Sequence, residues 1–273
     1  MVGRRSGAIG LAIVLAHVVL ALVSPWIAPY DPVAQDVTSM LVAPGAEHWL
    51  GTDKLGRDVF TRTLLGGREA LLITALASII AMIWGGLLGM MLGLVGGRID
   101  EWVMRVVDAL LSIPWILTLL LFVTILGTGT VVLIFILGFS YGLTVIRIAR
   151  AAALDIVTKD FVLAAQARGH DRWTIVNREL MPNVRDSLAV EAAMNWSWML
   201  LGFSSLSFLG FGVAPPTPDW GLMISDSRGI MATAPWTVVA PMVALASLII
   251  GINLAADALA KALGIDRSQK APL

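Results

Sequence analysis

The sequence has 273 residues, 58% of them hydrophobic, with 19 Lys and Arg balanced by 19 Asp and Glu and no cysteine. Charged residues make up only 14% of the chain, against about a quarter in soluble domains, and the mean hydropathy is +0.84. Charge neutrality points to no nucleic-acid partner, the lack of cysteine excludes disulfides and thiolate metal sites, and no cofactor is expected.

In chain order, Arg4 and Arg5 precede a charge-free run from Ser6 to Tyr30. The run is too long for the apolar region of a signal peptide, and no small-x-small cleavage site follows it cleanly. A retained membrane helix over about residues 8–29 is therefore expected. The mixed-charge stretch from Asp31 to Glu69 follows, in which "GRDVFTRTLLGG" reads as a short amphipathic helix along the outer face. "GTDKLGRD" (51–58) has the glycine spacing of a phosphate loop, but Arg57 replaces the lysine and Asp58 the magnesium-binding hydroxyl, so nucleotide binding is not assigned.

A second charge-free run predicts a helix over about 71–97. Along it Gly85, Gly89, Gly93 and Gly97 recur every four residues. Such a stripe lets helix backbones approach closely in lipid, either inside this chain or against a second membrane subunit. A third helix is expected over about 103–126, kinked at Pro114, and "GTGT" (127–130) separates it from a fourth over about 131–149. Two more runs predict helices over about 187–212 and 236–260, the last with a kink at Pro241. Backbone hydrogen bonds must close internally in lipid, and these glycine-punctuated runs lack the alternation of barrel strands. The fold class is an all-α integral membrane protein with six transmembrane helices.

With the N-terminus inside, fourteen of the nineteen Lys and Arg lie in the cytoplasm, in keeping with the positive-inside rule. The loop of about 150–186 then faces the cytoplasm, while Asp31–Glu69 and a rigid, proline-rich turn (Val213–Ala234) lie outside. In the inner loop, Asp160 is expected to cap a short helix that Gly169 ends in a left-handed turn. Asp171 would cap a second helix, with Pro182 just beyond its last turn. Trp173, Val176 and Leu180 would form one apolar stripe on it, flanked by Arg172 and Arg178. Such a segment is either a compact knob for a soluble partner or an amphipathic hairpin on the lipid surface.

The fifth helix holds Asn195, Ser197, Ser204, Ser205 and Ser207 in an otherwise apolar span. These groups either bond back to their own helix and mediate packing or border a solute route. His17, His48 and His170 are scattered without partners at ligand spacing, so no metal site is expected, and His17 reads as a helix-packing residue. No nucleophile–base pair appears.

Residues 161–183, "FVLAAQARGHDRWTIVNRELMPN", resemble the cytoplasmic EAA loop of permease subunits in bacterial ABC importers. Ala164, Ala165, Gly169 and Pro182 match its spacing, whereas Leu163, Glu179 and Met181 depart from it. A literal "EAA" at 191–193 has Ser197 where the motif's glycine belongs. "APYDP" (28–32), "HWLGTDKLGRDVFTR" (48–62), "MRVVDALLSIPW" (104–115), "FLGFGVAPPTPDWG" (208–221) and "NLAADAL" (253–259) look like the second permease subunit of the branch serving dipeptides, oligopeptides and nickel.

The resemblance implies a type I importer bundle in the bacterial inner membrane, with both termini cytoplasmic. It divides the chain into an N-terminal helix and external segment (1–69), a transmembrane domain (70–264) and a tail (265–273). Ala164, Ala165, Gly169, Asp171, Arg172, Trp173, Val176, Leu180 and Pro182 would form the loop that docks on an ATPase. The implied partners are a second, different permease, two ATP-binding subunits, an extracytoplasmic solute-binding protein and a peptide or small-solute cargo. Hydrolysis would belong to the partners. An ion-coupled secondary transporter, the rival class, usually holds ionisable residues at membrane depth; here only His17 lies mid-span.

Overall fold

The computed structural model describes residues 2–265; beyond Ile265, the expected tail lies outside the described residues. Helix α1 (Val2–Ile27) packs antiparallel to α10 (Trp236–Ala262). Their backbones touch, since a Cβ on Gly10 would lie 2.7 Å from the Gly251 carbonyl. His17 joins the pair, with Nδ1 2.9 Å from the Ile13 carbonyl and Nε2 3.2 Å from those of Ala244 and the Ser247 hydroxyl.

Helix α2 spans Val59–Val95, 37 residues, about 55 Å at helical rise. It absorbs the separate amphipathic helix expected on the outer face. Asp58 caps it, accepting from the Thr61 amide at 2.7 Å, and nothing breaks it at Gly66 and Gly67. The indole of Trp220 fills the space beside both glycines, 2.9 and 2.7 Å from where their Cβ atoms would sit. Helix α5 (Thr130–Val157) runs parallel to α2 in the most extensive helix pair of the molecule. It ends well beyond the expected 149.

The third expected helix is two helices. Gly96 and Gly97, at φ 58° and 64°, turn the chain into α3 (Gly97–Leu111), and α4 (Trp115–Leu126) follows at 89° to it. Pro114 is the residue before α4 rather than a kink inside one rod. Proline removes a helical donor and disfavours helix at Ile113, and α3, being amphipathic, has no reason to follow α4 into lipid. Helices α1, α2, α5 and α10 are long and apolar enough to cross a bilayer, and α3 with α4 makes at most a fifth span. The sixth helix of the bundle is α8 (Met181–Phe208), as long as α5 at 28 residues. Its polar residues are accommodated because it packs against α2, α5 and α10. Phe203, Ile73, Met90, Leu137, Leu200 and Leu248 are fully buried between these helices.

At the other end from the inner loop, α9 (Trp220–Ser227) lies against α8 and α10. Asp219 caps it, accepting from the Leu222 amide at 3.0 Å. Burial raises the Asp219 carboxyl to about 6, against the lowering effect of that cap. The folded value lies above the unfolded one of about 4, so the folded state binds this proton more tightly. The contribution is complete below about pH 4 and is lost as pH rises through about 6. The parent should therefore unfold at a lower temperature at pH 7.5 than at pH 5. Asp219→Asn, which keeps an acceptor for the cap, should narrow that difference in detergent melting curves; an unchanged difference would refute the assignment.

Candidate coupling site

The inner loop folds as α6 (Asp160–Ala167), a left-handed turn, and α7 (Arg172–Ile175). The residue before α6 is Lys159; Asp160 stands in the first turn instead, where its charge meets the positive end of the helix dipole. Gly169 has φ 79°, and an added Cβ there would meet nothing within 4 Å. The demand for glycine is thus conformational, not steric. The turn is closed by the His170 amide donating to Ala165 and the Gly169 amide to Gln166, which satisfies the last carbonyls of α6. Asp171 caps α7, accepting from the Thr174 amide at 3.1 Å and from its hydroxyl at 2.5 Å. The Thr174 hydroxyl, then its amide, hold the Asp171 carboxyl below its ordinary value.

The second helix does not end before Pro182. A π turn, Val176–Leu180, joins α7 to α8, with the Met181 amide donating to Val176, and Pro182 stands in the first turn of α8. Proline offers no amide and its ring crowds the carbonyl four residues back; the wider π turn makes room for it. Consequently α7, the π turn and α8 form one rod from the loop into the membrane core.

The three stripe residues do not share one exposed face. Val176 and Leu180 are fully buried with Ile175, Val162 and Ala165, packed against the ends of α2 and α5. Trp173 is 53% exposed, and the apolar surface of the knob is completed by Phe161 (42%) and Leu163 (48%). Ala164, Arg172 and Pro182 are exposed as well. Phe161 and Leu163 escape a reading that follows only the second helix. The available signal was the apolar pair Val162 and Ala165, three apart, which marks the inward face of α6 and turns their neighbours outward.

Gly85, Gly89 and Gly93 face α5: Cβ atoms there would lie 2.5 Å from the Gly142 carbonyl, 2.5 Å from the Ile146 carbonyl and 2.8 Å from the Ala153 Cβ. Gly97 stands apart in the turn before α3, with open space around it. On α8, Asn195, Ser197, Ser204 and Ser207 are buried inside the chain, and the Ser205 hydroxyl donates back to Leu201 at 2.8 Å. Asn195 Nδ2 and Ser197 Oγ are buried with no hydrogen-bond partner among the described residues.

The chain is similar to known proteins over most of its length. Residues 85–266 match the family described as binding-protein-dependent transport system inner membrane component, and residues 3–44 match the N-terminal TM domain of oligopeptide transport permease C. The chain is 36% identical to the nickel transport system permease protein NikC of Escherichia coli K12, over 94% of this chain and 92% of that one. It is 35% identical to the di/tripeptide transport system permease protein DppC of Pseudomonas aeruginosa, over 95% and 88%. It is 34% identical to the oligopeptide transport system permease protein OppC of Haemophilus influenzae, over 95% and 85%. The chain belongs to the binding-protein-dependent inner-membrane transport components, in the peptide and nickel branch of the ABC importer permeases.

Proposed function

We propose that this permease forms half of a translocation pathway for short peptides and receives ATP-driven motion through residues 161–183. The observation that carries the coupling role is the rod of α7, π turn and α8. A displacement of exposed Trp173 has a continuous helical path to Asn195 and Ser197 in the membrane core. Phe161, Leu163 and Trp173 leave exposed apolar side chains on the knob, of the kind a soluble partner's groove covers. In this reading the partners are a second, different permease, two ATP-binding subunits that carry the hydrolysis, and an extracytoplasmic solute-binding protein.

The polar residues of α8 would border the pathway. Buried donors without partners cost roughly 1–3 kcal/mol each, and a conformation that turns Asn195 and Ser197 toward water or cargo relieves that cost. Nickel is a second reading for the cargo, favoured by the likeness to the nickel permease. Mass spectrometry of what co-purifies in mild detergent, followed by ATP-dependent uptake of a labelled dipeptide with nickel as competitor, separates the two. Gradient-driven uptake without ATPase subunits would refute both.

In this reading the N-terminus is inside and the knob lies in the cytoplasm. Because the chain has no cysteine, single cysteines report it cleanly. A cysteine at Val37 should react with an impermeant thiol reagent added to intact cells, and one at Thr158 should react only after lysis. The reverse pattern would invert the topology and remove the knob from the ATPase side.

A further inference from the structure

Helix α3 has three faces rather than two. Val107 is buried, with Val103 and Leu110 half-buried beside it, against Leu92, Leu143 and Ile146. Buried Asp100 receives two bonds from Arg150, each 2.5 Å, and Asp108 lies 3.7 Å from Arg147. Both arginines are on the second half of α5, so α3 is fastened to the segment that leads into the knob. The third face is apolar and no described residue covers it: Ile99 (62% exposed), Trp102 (63%) and Val106 (57%) follow at helical spacing.

We propose that this face anchors the permease in the bilayer surface on the knob side, and that Arg98 and Arg105 hold anionic phospholipid headgroups there. The inference concerns the lipid and does not depend on the cargo or coupling readings. Geometry supports it first. Helix α3 lies at 89° to α4, which carries no charged residue, so with α4 along the membrane normal α3 lies in the plane of the interface. Exposed Leu117, Leu121 and Ile125 on α4 continue the lipid-facing surface beyond the bend.

The order of charges supports it next. At 100° per residue, Arg98 and Arg105 border the apolar face, while Glu101 and Asp108 fall one step farther from it. The Arg105 guanidinium sits 5.0 Å over the Trp102 ring. That arrangement places cations at headgroup depth and keeps carboxylates in water, which suits a phosphate-bearing leaflet. A protein groove would require no such ordering.

The test uses the assembled importer in phosphatidylcholine vesicles with and without phosphatidylglycerol. Nitroxide labels on Ile99→Cys and Val106→Cys should be relaxed by oxygen and shielded from a water-soluble chromium complex, and a label on Glu101→Cys should show the opposite. Native mass spectrometry should find phosphatidylglycerol retention reduced roughly fivefold for each of Arg98→Gln and Arg105→Gln, and unchanged for Arg172→Gln on the knob. Labels at 99 and 106 shielded from both reagents would mean a protein partner covers the face. Labels open to the chromium complex would mean water does, and unchanged lipid retention in both arginine variants would remove the headgroup role. Any of these overturns the proposal.

Discussion

Gly89→Leu is expected to abolish recovery of folded permease. A Cβ at this position would lie 2.5 Å from the Ile146 carbonyl, 2.8 Å from the Ala149 Cβ and 3.0 Å from the Arg150 amide. Two of those three atoms are backbone, so no rotamer change on α5 relieves the clash. The helices must separate instead, and they form the most extensive pair in the bundle. Overpacking a core costs about 1–3 kcal/mol when side chains can shift; forcing two backbones apart costs more. Gly86→Ala is the matched control, since its Cβ would meet only a Leu188 methyl at 3.7 Å. Size-exclusion profiles and melting temperatures in detergent should show Gly89→Leu aggregated or absent and Gly86→Ala like the parent. A monodisperse Gly89→Leu with the parent's melting temperature would refute the α2–α5 contact.

Why some of this was legible in the sequence and some was not follows from the range of each interaction. The Asp171 cap and the Gly169 turn are decided within four residues, so their side-chain chemistry announces them. The approach of α2 to a neighbour is written in glycines four apart, although their sequence does not say which neighbour. The 89° bend at Pro114 is different. A proline marks a break, but the angle depends on Asp100 meeting Arg150, fifty residues away. Likewise, Val176 and Leu180 are placed at helical spacing from Trp173, yet only the ends of α2 and α5 determine that they turn inward. The π turn needs the geometry around Pro182, which spacing alone reads as a helix end. The extra length of α2 was hidden by Arg62, Arg68 and Glu69, charges that look like a boundary. Arg62 is buried there, donating to the Pro32 carbonyl at 2.7 Å, and the helix runs on beneath it.

The knob's exposed apolar patch is the central claim, and its anchors are Trp173 and Phe161. Truncating an interface anchor typically costs about 2–4 kcal/mol, which is roughly thirtyfold to a thousandfold in affinity. Trp173→Ala and Phe161→Ala should leave the bundle folded, because both side chains are exposed. Val176→Ala is the internal contrast: its side chain is fully buried, so it should lower the melting temperature by opening a cavity. Arg172→Ala should do little, since exposed charge pairs contribute little. The most direct measurement is cargo-stimulated ATP hydrolysis, with ATPase-subunit recovery, in reconstituted complexes of Trp173→Ala and Phe161→Ala. The account predicts folded permease that loses the ATPase subunits or hydrolyses without importing, and parental recovery and coupling in both variants would contradict it.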